Sequence, residues 1–272
     1  MSDTLHFGDY AVTRLVDGTF EAPLDLVVHA GGAQSRALAL QGWGKDTIRI
    51  DVNCFLLQGP DGLTLVDAGT GSAWGPGLGH ARAALAERDI TPERIDRVLV
   101  THLHGDHILG LLDGVQAFLP RAEILVPETD LAFYADDSRA PSLPEGQRGA
   151  FAATASLRAA YGERLRPIPD GPVMPGIEAI PLHGHSPGHT GYLVQGARHG
   201  LLLWADTLHL DDLQPGEPEI GLAFDVDPAM AVETRRAALQ RAAQEGWTVS
   251  GGHVGGFFSV EPQGQAWRLV AL

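Results

Sequence analysis

A chain of 272 residues, 44% hydrophobic and 19% charged, is long enough to bury a sizeable core and too apolar to be disordered. Its formal net charge of -15 repels phosphate backbones, so nucleic acid and anionic membrane surfaces are not expected partners. A single cysteine, Cys54, excludes an internal disulfide framework and any cysteine-rich zinc finger.

The N-terminus, MSDTLHFGDYAV, is acidic and has neither a basic n-region nor an apolar h-region. No apolar run reaches membrane-spanning length, so the expected location is the cytoplasm. Apolar runs bounded by turn residues predict strands over 11–16, 53–58, 64–67, 98–101, 123–126, 177–181, 192–195, 201–204 and 248–251. The runs 54–57 and 63–66 flank Pro60-Asp61-Gly62 and read as a hairpin. Helical patterns cover 79–88, 128–134, 148–161 and 228–245. The last is the best delimited, with Asp227 to cap it, Pro228 in its first turn and Gly246 to end it. Thr91-Pro92-Glu93-Arg94 reads as a short capped turn before the strand at 98.

Strands fall in two batches, each followed by helix. That predicts two sheets packed face to face with helices outside, within one domain over 1–272. The segments 20–46 and 208–224 fit neither pattern and read as long loops. Such loops in a compact domain are often functional.

The chemistry concentrates in VTHLHGDHILG, residues 100–110, where His102, His104, Asp106 and His107 fall within six positions just past an apolar strand. A lone histidine at a strand end is usually a hydrogen-bonding group. Four ligand-type residues so close together fit metal binding far better. His102 and His104 are two apart, so an extended loop aims both the same way; Asp106 and His107 need a turn, which Gly105 permits. The result is two diverging ligand sets, as two neighbouring metal ions require. Imidazole nitrogen and carboxylate oxygen are ligands that zinc accepts. Further candidates also stand at strand ends: GHSPGHTGY with His185 and His189, LLLWADTLH with Asp206, and VSGGHVGG with His253.

The order HxHxDH, PGH, strand-end Asp and late GGH, with VDAGTG at 66–71 before them, resembles the metallo-β-lactamase superfamily from about residue 53 to residue 253. The resemblance implies an α/β fold, an αββα sandwich of two mixed β-sheets with helices on the outer faces and metals at one edge. It implies His102, His104 and His189 on one ion, Asp106, His107 and His253 on a second, and Asp206 bridging both. His185 becomes a supporting residue, and the spacing within GHSPGHT does not itself choose between the two histidines. Asp67 would orient a ligand histidine. His183 and His209 read as loop hydrogen-bonding groups, His6, His29, His80 and His199 as surface or structural, and Cys54 as core. Trp43, Trp74 and Phe224 are aromatic residues for either core or pocket.

WGPGLGHARAALAERDITPERIDRVLVTHLHGDH, PGIEAIPLHGHSPGHTGY and FDVDPAMAVETRR are similar to the branch containing methyl parathion hydrolase and quorum-quenching lactonases. Two places depart from it. Val254-Gly255-Gly256-Phe257-Phe258 replaces a Pro-Phe-Pro-Gly-like stretch, and Thr207-Leu208-His209 follows Asp206 where some lactonases use a tyrosine.

Two divalent ions bridged by hydroxide, with Asp106 and Asp206 as the catalytic carboxylates, would leave the centre net positive and favour an anion forming during reaction. Zn2+ is the expected metal, with Mn, Fe or Co as substitutes. The expected substrate is a small neutral lactone, ester or phosphotriester, and a homodimer is compatible with the chain. Alternatives are a glyoxalase II-like thioester hydrolase, a mononuclear iron persulfide dioxygenase-like oxidoreductase, and a metal-holding protein without turnover. No basic cluster for glutathione is visible. The segments 20–43 and 208–224 are the expected pocket walls.

Overall fold

The computed structural model describes residues 4–272; the first three residues of the acidic N-terminus lie outside the described residues. Two seven-stranded sheets form among these residues, and each is laid down in chain order. The first contains β1 (Thr4–Phe7), β2 (Tyr10–Pro23), β3 (Thr47–Gly59), β4 (Gly62–Val66), β5 (Ile95–Leu99), β6 (Glu123–Pro127) and β7 (Leu165–Ile168). It runs antiparallel from β1 to β4 and parallel from β4 to β7. The second contains β8 (Gly171–Met174), β9 (Ile177–Pro181), β10 (Thr190–Val194), β11 (Leu201–Leu203), β12 (Thr248–Ser250), β13 (Phe258–Gln263) and β14 (Ala266–Ala271). Only β11 and β12 pair in parallel there.

Strand alternation explains how two apolar faces arise from one run. On β3, Phe55 and Leu57 pack against Tyr192, Val194, Leu201 and Leu203 of the second sheet. Their neighbours Cys54 and Leu56 point the other way, into a cluster with Leu85, Phe151 and Leu157. Leu202 and Trp204 likewise turn away from the sheet interface toward Leu239 and Ala242. Strands covered on both faces read as unbroken apolar runs, which is why LLLW and VLV stand out in the sequence.

The helices are α1 (Gly32–Ala39), α2 (Ala81–Ala86), α3 (Gly105–Ile108), α4 (Glu128–Tyr134), α5 (Gly149–Tyr161) and α6 (Pro228–Glu245). Buried residues of α2 and α5 cover the outer face of the first sheet, and those of α6 cover the second. The αββα arrangement is therefore the one expected. The bounds of α6 match the sequence pattern: the Asp227 side chain accepts from the Met230 amide at 3.0 Å, and Gly246 ends the helix at φ 63°. Such a cap contributes about 1 kcal/mol.

Of the two segments expected as loops, 20–46 is largely regular structure, while 208–224 is mostly turns around one short strand. β2 continues through Pro23, paired with β3 down to Thr47, after an irregularity between Val16 and Gly18. Chain then passes through a strand, Val27–His29, and α1. Ile220–Leu222 pairs antiparallel with Val27–His29. Both segments thus bury one apolar cluster, with Ala22, Val27, Ile48, Ile50, Leu210, Ile220 and Leu222 inside. The bulge breaks the period-two pattern, and the pairing partners are far apart in sequence, so neither half shows a local signature.

Candidate metal centre

The C-terminal ends of β4, β5, β6, β9, β11 and β12 all deliver polar residues to one rim. Parallel pairing of β4 with β5 sets Asp67 beside Thr101. Asp67 takes a left-handed backbone, φ 58°, which aspartate tolerates better than most residues. Its carboxylate accepts from the Thr101 amide at 2.9 Å, the Thr101 hydroxyl at 2.8 Å and His107 Nδ1 at 2.8 Å. It orients a histidine of the HxHxDH segment, as expected. The turn separating His102 and His104 from Asp106 and His107 is the single-turn helix α3, which begins at Gly105.

Asp206, just past β11, lies at the middle of the ring of side chains. His107 Nε2 is 3.2 Å from its Oδ1; His253 Nε2 is 2.9 Å and His102 Nε2 3.7 Å from its Oδ2. His253 Nε2 is also 3.6 Å from Asp106 Oδ2, and its Nδ1 donates to the Asp51 carbonyl at 2.6 Å. Ligand atoms converge in four overlapping sets: His102, His104 and His185; His102, His107 and Asp206; Asp106, His107 and His253; and His185, Asp206 and His209. His102 Nε2, His107 Nε2 and Asp206 Oδ1 are buried without any hydrogen-bond partner. Buried polar atoms are almost always satisfied, so three orphans facing one another are where a cation fits. Close approach of the loop also requires Gly252: a Cβ there would lie 2.8 Å from the His107 ring and 3.0 Å from Asp206 Oδ1.

One sequence expectation is corrected here. His189 faces backbone, not the ring: its Nδ1 donates to the Leu182 carbonyl at 2.7 Å and its Nε2 accepts from the Asp206 amide at 3.0 Å. With both nitrogens engaged, it has no lone pair to offer a metal. His185 stands in its place, with Nε2 2.9 Å from His104 Nδ1 and 3.2 Å from Asp206 Oδ2. His209, expected only to make loop hydrogen bonds, also reaches Asp206 Oδ2, at 3.2 Å, and stacks on His253 with centroids 4.7 Å apart. His183 takes no place in any of the four sets. His29 is a structural group, paired with Glu217 at 3.0 Å, and Cys54 is core.

Proton affinities separate these histidines. Burial pushes His189 down to about 3 and His209 down to about 4, and lowers His102 and His104 well below the usual histidine value. Burial opposes charge on His185 too, yet Asp206 and Asp225 outweigh it and raise the ring to about 9. His107 and His253 are raised against burial in the same way, chiefly by Asp206. Asp206 stays ionised because His107, His253 and His102 overcome its own burial. Asp206 is thus a fixed anion ringed by buried imidazoles, an environment that suits a cation.

Four further residues assemble the centre without any signal in the spacing. Asn53 Nδ2 donates to the carbonyls of Gly252 at 3.1 Å and Val254 at 3.0 Å, pinning the His253 loop to the first sheet. Asp130, at the start of α4, accepts from the Leu103 amide at 2.8 Å, Ser186 Oγ at 2.6 Å and the Gly188 amide at 2.8 Å. It thereby ties the HxHxDH loop to the GHSPGHT loop. Asp225 and Arg235 stand behind His185.

A cavity of about 500 Å3 opens onto His104, Asp106, His185, Asp206 and His253. Its walls include Phe20, Ile50, Trp74, Leu109 and Phe224 together with the small residues Ala150 and Ala153 of α5. Segments 20–43 and 208–224 were expected to supply the walls. Phe20, His209 and Phe224 do line it, but the α5 wall was not anticipated, and Trp43 borders a separate, polar cavity. No helix among the described residues is long and apolar enough to cross a membrane.

A family model described as the metallo-beta-lactamase superfamily matches residues 47–253. No match was found among curated proteins. Among solved structures, hydrolase AbOPH in the beta-lactamase superfamily is 25% identical over 100% of this chain and 98% of its own, with TM-score 0.89. AidC, described as a dizinc quorum-quenching lactonase in complex with a product, is 20% identical over 99% of this chain and 96% of its own, with TM-score 0.86. A probable metal-dependent hydrolase from Staphylococcus aureus is 20% identical over 98% of this chain and 99% of its own, with TM-score 0.74. Because the family model spans most of the sequence and the residues it covers build this ring, the chain belongs to the metallo-beta-lactamase superfamily and is a metal-dependent hydrolase of that family.

Proposed function

We propose that the protein is a dinuclear metal hydrolase of small, neutral lactones, esters or phosphotriesters. One observation carries this reading: Asp206 belongs to ligand sets on both sides of the ring, and an apolar cavity opens onto it. In this reading His102, His104 and His185 hold one ion, Asp106, His107 and His253 hold the other, and Asp206 lies between them. Zn2+ is the metal proposed, given the nitrogen and oxygen donors. A pair of divalent ions supplies a water nucleophile near neutral pH and polarises the oxygen of the attacked centre.

The chain's own residues then do the following. The Asp206 amide is held by His189, which fixes the backbone that carries the central carboxylate. Asp106 borders the cavity and is placed to take a proton there and return it to the leaving oxygen. Phe20, Trp74 and Leu109 exclude water from the substrate's apolar part. A net charge of -15 disfavours polyanionic substrates over distance, while the centre itself favours an anion made during reaction. A neutral ester meets both conditions. A dizinc lactonase of the same fold supports the choice of substrate class. A mononuclear oxidoreductase would leave Asp106, His107 and His253 without a role.

The test is metal analysis joined to a panel of lactones, aryl esters and phosphotriesters, with RNA and a glutathione thioester as controls. Two equivalents of metal and turnover of a neutral class are expected. One equivalent, or activity on the controls alone, would sink the reading.

A further inference from the structure

The stretch FDVDPAMAVETRR contributes nothing to the ligand ring, yet two of its residues lie buried in a line leading to it. Asp225 stands just before α6 and Arg235 within it, 4% and 1% exposed. Asp225 Oδ1 accepts from His185 Nδ1 at 2.9 Å. Its other oxygen, Oδ2, has no hydrogen-bond partner and faces Arg235 Nη2 at 3.7 Å. The other two Arg235 nitrogens are engaged by backbone: Nε donates to the Thr207 carbonyl at 2.8 Å, and Nη1 to those of Pro218 at 2.8 Å and Ile220 at 2.9 Å. Thr207 follows Asp206 directly. One guanidinium therefore reaches behind both the central carboxylate and the histidine beside it.

We propose that Arg235 and Asp225 form a positioning pair for His185, fixing the ring with its Nδ1 proton toward Asp225 and its Nε2 lone pair toward the ligand ring. The inference rests on the reading of His185 as a ligand. A neutral imidazole has two tautomers, and only one leaves Nε2 free to bind. A carboxylate can only accept, so it selects that tautomer and strengthens the ring as a donor to metal. A buried carboxylate alone is costly, and a rigid, permanently charged guanidinium offsets the cost. The 18-residue helix α6, capped at both ends, anchors Arg235 rigidly. An ion pair serving only to hold α6 in place would not need its carboxylate aimed at a histidine in the ring.

Co2+ tests this on the full chain. Its affinity is read by competition with a chromophoric chelator, and its visible absorption reports the ligand field. Asp225→Asn keeps the shape but can turn an N–H toward His185 and favour the wrong tautomer. A 10- to 100-fold loss of Co2+ affinity with an altered spectrum is expected, the range usual for groups that orient metal ligands. Arg235→Lys keeps the charge and loses the fork, so a smaller loss with the same direction of spectral change is expected. A parent-like affinity and spectrum in Asp225→Asn overturns the pair, whether or not that variant is less stable. If Asp225→Asn does not fold, Arg235→Lys decides: a shifted spectrum with parent-like circular dichroism supports the pair, and an unshifted one overturns it. A parent that binds no Co2+ overturns the ligand reading of His185, and the pair with it, which is a distinct failure.

Discussion

HxHxDH and GHSPGHT are both histidine-rich loops leaving the C-terminal end of a strand, and they behave differently. In the first, His102, His104, Asp106 and His107 all face the ring. In the second, His185 faces it and His189, four residues on, faces backbone. The first loop is short and turns through α3, so side-chain directions follow from local geometry alone. The second is decided by remote groups: Asp225 holds one ring, while Leu182 and the Asp206 amide hold the other. Ligand motifs can be read from spacing only where the turn is local.

The sharpest way to break this comparison is at the residue both loops face. Asp206→Asn removes the anion shared by the ligand sets, and a fall in kcat of at least about a thousandfold, on the order of 4 kcal/mol, is expected with loss of one metal. Retention of both metals with near-normal turnover would show that Asp206 is peripheral.

Next comes the histidine pair. His185→Ala should empty one site and lower kcat/KM by at least about a hundredfold, roughly 3 kcal/mol. His189→Ala should keep its metal in elemental analysis. A stripped His189→Ala beside a loaded His185→Ala would reverse the assignment made from the geometry.

The orienting carboxylate of the first loop gives a smaller effect. Asp67→Asn disturbs His107 and Thr101 together, and metal affinity measured by chelator competition should fall about 10- to 100-fold. An unchanged affinity would mean that the HxHxDH loop needs no support from β4.

The structural side of His189 can be read from stability. His189→Ala leaves the Leu182 carbonyl and the Asp206 amide buried without partners, so a loss of about 1–3 kcal/mol in chemical denaturation is expected. A variant as stable as the parent would remove the reason given for its orientation. The smallest effect concerns the pocket wall: Ala153→Leu, on α5, should shift preference toward shorter substrates by about tenfold while metal content stays constant. Equal rates across chain lengths would place the substrate elsewhere.

Sequence by itself determined the two-sheet sandwich, the bounds of α6 and the clustering of His102, His104, Asp106 and His107, together with Asp206 and His253 as residues that meet them. These follow from signals a few residues long: apolar runs bounded by turn residues, an Asp cap and a Gly stop, and ligand types at strand ends. Tertiary structure decided which histidine of GHSPGHT faces the ring and brought His209 to Asp206. It folded 20–46 and 208–224 into one apolar cluster, and set Asp130, Asn53, Asp225 and Arg235 behind the ligands. The physical reason is common to all of these. Each depends on a hydrogen bond or a packed face whose two halves lie far apart in the chain, and a pattern read over a few residues contains only one of them.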